Sequence, residues 1–294
     1  MFIDLKPFTT NAKPTGRVLG KGSYGEVEEM RVGQKVVAGK KFRLSINDDG
    51  TIRKFSTELL TLAQLRHPNI VAFEGVCHLP NEALPVLLME LLVTNLHSYL
   101  LHPSHANLGT YRKATILCDI ASGLAYLHSL SPPLVHRDLT ARNVLINSKE
   151  TAKIADFGNA RILDIDPQSS KSMTSRPGTL EYMPPEAFGA SPEYGTSLDV
   201  FSFGHLALFT AIQESPTTML PYTYFSSESA EPHLRLEVER RQRYIASAEK
   251  LLGKDHLIMT IITQCLQNNP RARPATNQIL EKLQELTGMS LLYP

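Results

Sequence analysis

The stretch Leu134-Val135-His136-Arg137-Asp138-Leu139-Thr140-Ala141-Arg142-Asn143-Val144-Leu145-Ile146 sets a carboxylate, a carboxamide and two guanidinium groups between two apolar clamps. Leu134 and Val135 on one side, and Val144, Leu145 and Ile146 on the other, suit short buried strands. That leaves the polar residues on a loop held against a core. Asp138 and Asn143 offer oxygen acceptors at fixed reach, the donor type that holds a hard cation and orients a hydroxyl.

The chain carrying this loop has 294 residues, 42% hydrophobic and 20% charged, the make-up of a globular protein long enough for two lobes. Its 30 Lys plus Arg against 29 Asp plus Glu give no long-range field of the kind a nucleic-acid or membrane-surface binder uses, so neither partner is expected. Cys77, Cys118 and Cys265 are odd in number and far apart, which argues against a disulfide framework or zinc knuckle and fits a reducing compartment. No apolar run approaches the roughly 20 residues of a membrane helix. The start, Met-Phe-Ile-Asp-Leu-Lys-Pro, lacks a signal-peptide pattern. The expected location is cytoplasmic, or the cytoplasmic portion of a longer protein.

Around the loop, the texture of the chain changes near residue 95. Before it, strands are predicted over residues 17–19, 26–32, 35–43, 70–77 and 86–90. One helix interrupts them over residues 51–66, where Ile52, Phe55, Leu59, Leu62 and Leu65 recur at helical spacing until His67-Pro68-Asn69 stops it. After residue 95 the signals are mainly helical. Residues 111–130 place Ile116, Ile120, Leu124 and Leu127 on one face, and residues 197–212 are apolar nearly all round, the mark of a buried helix. Further helices are predicted over 236–252, 256–267 and 276–286. There is no internal repeat, and the Ser-rich stretches 168–175 and 224–230 read as exposed.

Upstream, Leu19-Gly20-Lys21-Gly22-Ser23-Tyr24-Gly25-Glu26-Val27 is a glycine-rich turn between two predicted strands. Glycines let backbone amides approach phosphate oxygens without Cβ clashes, although a tight hairpin alone accounts for them equally well. The strand that follows the turn disfavours a dinucleotide fold, in which a helix would come next. Val37-Ala38-Gly39-Lys40 then sets a lysine in an apolar strand, costly unless anions meet it, and Glu58 in mid-helix is the natural partner. Downstream, Asp156-Phe157-Gly158 follows a short strand and supplies a second carboxylate, though an Asp before a glycine is more often a plain turn.

Taken jointly and in order, these motifs resemble the eukaryotic protein kinase family, from about residue 17 to about residue 286. Pro184-Pro185-Glu186 stands where the family commonly has Ala-Pro-Glu, and Asp199-Val-Phe-Ser-Phe-Gly204 where Asp-Val-Trp-Ser-Phe-Gly is usual. Asn269-Pro-Arg-Ala-Arg273-Pro274 matches near the end. The resemblance implies an α+β, bilobal fold. Residues 1–92 would form a small, mainly antiparallel N-lobe with one key helix and a flexible start to about residue 15. Residues 93–294 would form a larger helical C-lobe with the catalytic loop and activation segment.

The implied activity is transfer of the γ-phosphoryl group of ATP to a protein hydroxyl. The implied cofactor is magnesium, two ions held by Asn143 and Asp156. Lys40, Asp138, Asn143 and Asp156 would be the catalytic set, with Glu58 holding Lys40. Leu19, Gly20, Gly22, Gly25, Val27, Ala38, Met89, Glu90, Leu92 and Leu145 would line the nucleotide, Met89 as gatekeeper and Glu90 and Leu92 as hinge. Leu62, Phe73, His136 and Phe157 would stack as a regulatory spine. Glu186 with Arg273, and Asp199, would be structural.

Substrate signals conflict. Thr140 stands where serine/threonine kinases usually carry lysine, and Arg142 matches the tyrosine-kinase pattern. Gly178-Thr179-Leu-Glu-Tyr182-Met183 instead resembles the serine/threonine and tyrosine-kinase-like groups. The balance points to serine or threonine on protein substrates, ahead of a tyrosine or dual-specificity enzyme and of a pseudokinase scaffold. Hydroxyls between Ser169 and Thr179 are candidate activating phosphorylation sites, with Arg137 and Arg161 to receive the phosphate. His97, His102 and His105 read as solvated surface, and Glu239 to Arg243 as a charged helix face.

Overall fold

The computed structural model describes residues 10–22, 25–43, 49–80, 82–163, 179–188, 195–214, 230–254 and 256–288. The chain parts into two compact units, Met1–Thr94 with Leu145–Ala160, and Asn95–Val144 with Arg161–Pro294.

The first unit is built on strands β1 (Lys13–Gly22), β2 (Gly25–Val32), β3 (Lys35–Phe42), β4 (Phe73–Cys77) and β5 (Val86–Glu90). They form one antiparallel sheet in the order β1-β2-β3-β5-β4. The β2–β3 register runs from Gly25 opposite Phe42 to Val32 opposite Lys35, and the turn is closed by Gly33 at φ 59. Met30, Val37, Cys77, Val86 and Leu88 form one core cluster, and Phe42, Phe55, Leu59, Val76 and Leu87 another.

Helix α1 (Asp49–Gln64) joins the sheet through that second cluster, with the Phe42 and Phe55 rings edge to face at 5.4 Å. Its buried face carries Thr51, Phe55, Glu58, Leu59 and Leu62, and Leu65 is buried just beyond its end. Ile52 does not join it: 44% of the residue is exposed. Glu58 takes a place on the buried face, while Ile52, in the first turn of the helix, stays outside it. Hydrophobic spacing registers apolar residues and misses a buried carboxylate.

Strand β6 (Thr94–Asn95) follows, and β7 (Leu134–Val135) and β8 (Val144–Ile146) flank the opening loop as its apolar clamps predicted. Strand β9 (Ala152–Ile154) ends just before Asp156, and Ile154 makes a parallel bridge with Ile70. Val71 N–H donates to Ile154 O at 2.9 Å, Ile154 N–H to Asn69 O at 2.8 Å, and the Asn69 carboxamide to Ala152 O at 3.1 Å. The segment leading to Asp156 is thereby fastened to the turn that follows α1.

The second unit contains strand β10 (Arg161–Ile162), paired antiparallel with β7. It also contains helices α2 (Leu96–Leu101), α3 (Thr110–Ser129), α4 (Ser197–Ile212), α5 (Ala230–Leu252), α6 (Leu257–Cys265) and α7 (Thr276–Thr287). With α1 these are seven α-helices among the described residues. Ile116, Ile120, Leu124 and Leu127 of α3 are all fully buried, and α4 is buried from Leu198 to Ala211. At Gly204 a Cβ would meet Leu266 Cδ2 at 2.8 Å and Cys265 Cβ at 2.9 Å, so glycine lets α4 close on the end of α6. Buried Lys113 of α3 donates to Ala211 O at 2.7 Å, satisfying a last-turn carbonyl of α4.

Two expectations change here. Short α2 was not predicted, and it gathers the three histidines differently from a solvated surface. His105 stacks on Tyr99 at 4.0 Å and His97 packs 5.6 Å from Phe209, while His102 is exposed. Helix α5 begins at Ala230, ahead of the predicted 236. Stretches 168–175 and 224–229 lie outside the described residues. No described helix is long and apolar enough to cross a membrane.

Candidate active site

The glycine-rich turn in the first unit is the end of the β1–β2 hairpin, with Gly20 opposite Val27 and Gly22 opposite Gly25. Ser23 and Tyr24 lie outside the described residues. A Cβ on Gly25 would run into the Lys41 carbonyl, so the close packing of β2 on β3 demands glycine there. A Cβ on Gly20 would meet nothing within 4 Å among the described residues, so packing does not demand glycine there.

On β3, Lys40 lies between Val27 of β2 and Leu87 of β5, and its neighbour Ala38 lies opposite Met89. Lys40 Nζ donates to Glu58 Oε1 at 2.8 Å, Glu58 Oε2 at 2.7 Å and Asp156 Oδ1 at 2.9 Å. The expected Lys40–Glu58 pair is formed, and the Asp156 carboxylate joins it. Burial alone would lower the Lys40 pKa, yet the charges of Glu58 and Asp156 more than offset this and hold it above the ordinary lysine value. Burial pushes Glu58 up to about 7 against the pull of Lys40. One ammonium between two carboxylates accounts for both directions: the cation is over-satisfied and the more deeply buried anion is short of positive charge.

Asp156 itself sits at φ 64 and ψ 74, a left-handed conformation that costs a non-glycine residue about 1–3 kcal/mol. A single 3-10 turn (Phe157–Asn159) follows, with Phe157 fully buried.

Leu145 is half-buried in β8 while its neighbours are buried, and Leu19 and Leu92 are half-buried. Beside Leu92, Val93 N–H donates to Ile146 O at 2.9 Å. Glu90 has a role that its sequence context did not reveal. Its amide donates to Ala72 O at 3.0 Å, and its carboxylate accepts from Ala72 N–H and Lys153 Nζ, both at 2.7 Å. The end of β5 is thus tied both to the start of β4 and to β9. Leu62, Phe73 and Phe157 belong to the first unit, and His136 to the second.

In the second unit, Asp138 is fixed from four directions. Its N–H donates to His136 Nδ1 at 3.3 Å, its carbonyl accepts from the Asn143 carboxamide at 2.7 Å, and its Oδ1 accepts the Thr179 N–H and hydroxyl, each at 3.0 Å. The fourth hold acts through the preceding residues. Buried Asp199 of α4 accepts the His136 amide on Oδ2 at 2.8 Å and the Arg137 amide on Oδ1 at 2.9 Å. Arg137 has φ 66, a left-handed backbone those bonds help to hold.

Asp199 Oδ2 also lies 2.9 Å from His128 Nε2, and His128 Nδ1 lies 3.1 Å from Thr276 Oγ1. Burial opposes the Asp199 charge, but bonding to His128 and the other donors holds its carboxyl below the ordinary range. Neither His128 nor Thr276 was singled out from sequence, because residues 148 positions apart leave no local spacing to read.

Thr140 is 4% exposed, while Arg142 is exposed. Glu186 meets Arg273 in a two-bond ion pair at 2.5 and 2.8 Å, as anticipated. Residues 164–178, which hold the candidate phosphorylation sites from Ser169 to Ser175, lie outside the described residues; Thr179 is exposed.

A family model described as "Protein kinase domain" matches residues 14–283. The mouse protein named "Serine/threonine-protein kinase TNNI3K" is 31% identical over 279 residues, covering 94% of this chain and 32% of that protein. "Wall-associated receptor kinase-like 17" of Arabidopsis thaliana is 31% identical over 285 residues, covering 92% of this chain and 35% of that protein. "Dual specificity protein kinase shkC" of Dictyostelium discoideum is 30% identical over 268 residues, covering 90% and 50%. The chain therefore spans a third to a half of the length of these relatives. A match over nearly the whole chain, onto residues whose geometry holds a lysine between two carboxylates and an aspartate fixed by its own loop, makes this chain a member of the protein kinase domain family.

Proposed function

We propose that this chain transfers the γ-phosphoryl group of ATP to serine or threonine hydroxyls of protein substrates. The observation that carries the serine/threonine reading is the pair of hydrogen bonds that Thr179 donates to Asp138 Oδ1, one from its amide and one from its hydroxyl. The segment that these bonds seat against Asp138 is the one whose sequence, Gly178-Thr179-Leu-Glu-Tyr182-Met183, resembles the serine/threonine and tyrosine-kinase-like groups.

In this reading the backbone amides of Gly20, Gly22 and Gly25 cover the phosphates, and Lys40 meets the α and β phosphates while Glu58 holds it in place. Val27, Ala38 and Leu145 enclose the adenine, Glu90 and Leu92 offer it backbone hydrogen bonds, and Met89 closes the back. Asp138 orients the attacking hydroxyl and accepts its proton, a role that rests on its position.

The donor set fits a hard cation. Asn143 commits its NH2 to the Asp138 carbonyl and keeps its oxygen as an acceptor, and the Asp156 side chain is 44% exposed. Asn143 and Asp156 are the residues that would hold magnesium, which when bound offsets the charge of the transferring phosphoryl group.

A dual-specificity reading has one observation of its own. Thr140 is buried and exposed Arg142 alone is left in this part of the loop to meet a substrate. Radiolabelled ATP with a degenerate peptide library separates the readings. Label on serine or threonine supports the proposal, label on tyrosine supports the second reading, and no label supports a scaffold. Asp138→Asn is expected to reduce labelling by several orders of magnitude while nucleotide binding persists; unchanged labelling removes Asp138 from the chemistry.

A further inference from the structure

We infer that His128 and Thr276 are positioning residues for phosphoryl transfer, acting as a buried hydroxyl–imidazole–carboxylate relay that sets the catalytic loop through Asp199. The inference rests on the kinase reading above and deepens it. An ionised carboxylate can only accept hydrogen bonds, so the 2.9 Å contact to Asp199 Oδ2 fixes the hydrogen of His128 on Nε2. In the neutral ring Nδ1 is then an acceptor, and the Thr276 hydroxyl 3.1 Å away is the donor that meets it.

All three side chains are buried. Asp199 is fully enclosed, Thr276 is 6% exposed and the His128 side chain is 7% exposed, so water does not readily replace a missing partner.

The relay ends on peptide groups next to the proposed chemistry. The same Asp199 oxygen that takes the His128 hydrogen takes the His136 amide, and its other oxygen takes the Arg137 amide. Arg137 is left-handed and directly precedes Asp138, so the aim of the Asp138 carboxylate depends on both bonds. His128 lies near the end of α3 and Thr276 is the first residue of α7. The start of α7 is thereby coupled to a loop more than a hundred residues away. An orienting hydrogen bond of this kind holds an imidazole in one tautomer and one direction, and losing it misaligns whatever it supports.

The test compares His128→Phe, Thr276→Val, Thr276→Ser and the double variant His128→Phe/Thr276→Val in the full chain. It reads kcat and KM for ATP and peptide, with the folded fraction taken from thermal melts. His128→Phe is expected to lower kcat by about tenfold or more, with KM for ATP moving less than about twofold. Thr276→Val should lower kcat in the same sense and Thr276→Ser should restore it. The double variant should be no worse than His128→Phe alone, because a relay is lost once. Unchanged kcat, a KM that rises in step, independent effects that multiply, or a serine no better than valine would each overturn the relay.

If His128→Phe does not fold, the Thr276 pair decides alone. If the wild-type chain transfers no phosphate, the kinase reading fails by itself. The relay is then judged by hydrogen exchange at the His136 and Arg137 amides: faster exchange in Thr276→Val but not in Thr276→Ser supports it, and equal exchange overturns it.

Discussion

Lys40 carries two carboxylates at under 3 Å, and the side chain of one of them, Glu58, is 1% exposed. Replacing the lysine by methionine removes the phosphate contact proposed for it and leaves an unpaired buried anion. Loss of phosphotransfer is the first expectation. The second concerns stability. A carboxyl whose folded pKa exceeds its ordinary value binds more protons folded than unfolded, so stability falls as pH rises from about 4.5 to the folded value. That value is about 7 with Lys40 present, and it climbs further once the ammonium is gone. Each unit of climb costs about 1.4 kcal/mol above that pH. The gap in urea midpoint between wild type and Lys40→Met should therefore widen from pH 6 to pH 8.5; a constant gap would show that Glu58 does not feel the lysine.

At the scale of elements, α4 illustrates both what periodicity reads and what it leaves out. Its span, residues 197–212, and its burial were legible because a run apolar on every face has only one comfortable environment. The need for glycine at position 204 was not, since it comes from Cys265 and Leu266 at the far end of another helix. Gly204→Ala would gain about 0.5–1 kcal/mol of helix propensity but force α4 and α6 apart, an overpacking that costs about 1–3 kcal/mol. A net loss of stability in chemical denaturation is expected, and a stabilised variant would contradict the packing.

Helix α1 carries the complementary lesson. Its existence, its Phe55–Leu59–Leu62 core and the Lys40–Glu58 pair could be read from spacing and cost, whereas the exposure of Ile52 could not, because helical spacing does not say which turns of a helix its neighbours cover. The site divides likewise. Asp138, Asn143 and Asp156 stood out as residue types in a fixed order. The Glu90 carboxylate, Lys153, His128 and Thr276 act through contacts that only the fold creates.

Across the helical unit as a whole, Arg273 joins segments remote in the chain. Besides Glu186 it donates to Ser197 O at 3.0 Å and Gln267 O at 2.8 Å, and its guanidinium lies 4.8 Å from the Phe201 ring centre. Removing one side of a buried ion pair strands the other, so Arg273→Leu should cost about 3–5 kcal/mol, read as a lower denaturation midpoint. A shift under about 1 kcal/mol would mean the pair is dispensable.

The fastening of β9 to the turn after α1 bears on how the protein is made. The first compact unit is assembled from residues 1–94 and 145–160, so a chain leaving the ribosome has every strand of its sheet long before it has the segment that completes the unit. Until residues 152–156 emerge, Asn69 lacks its Ala152 acceptor, Glu90 lacks Lys153 and Lys40 lacks Asp156. Closure over so long a separation is slow. The nascent sheet therefore waits, incomplete, while α2 and α3 are synthesised, and that interval is when a folding chaperone has most to protect.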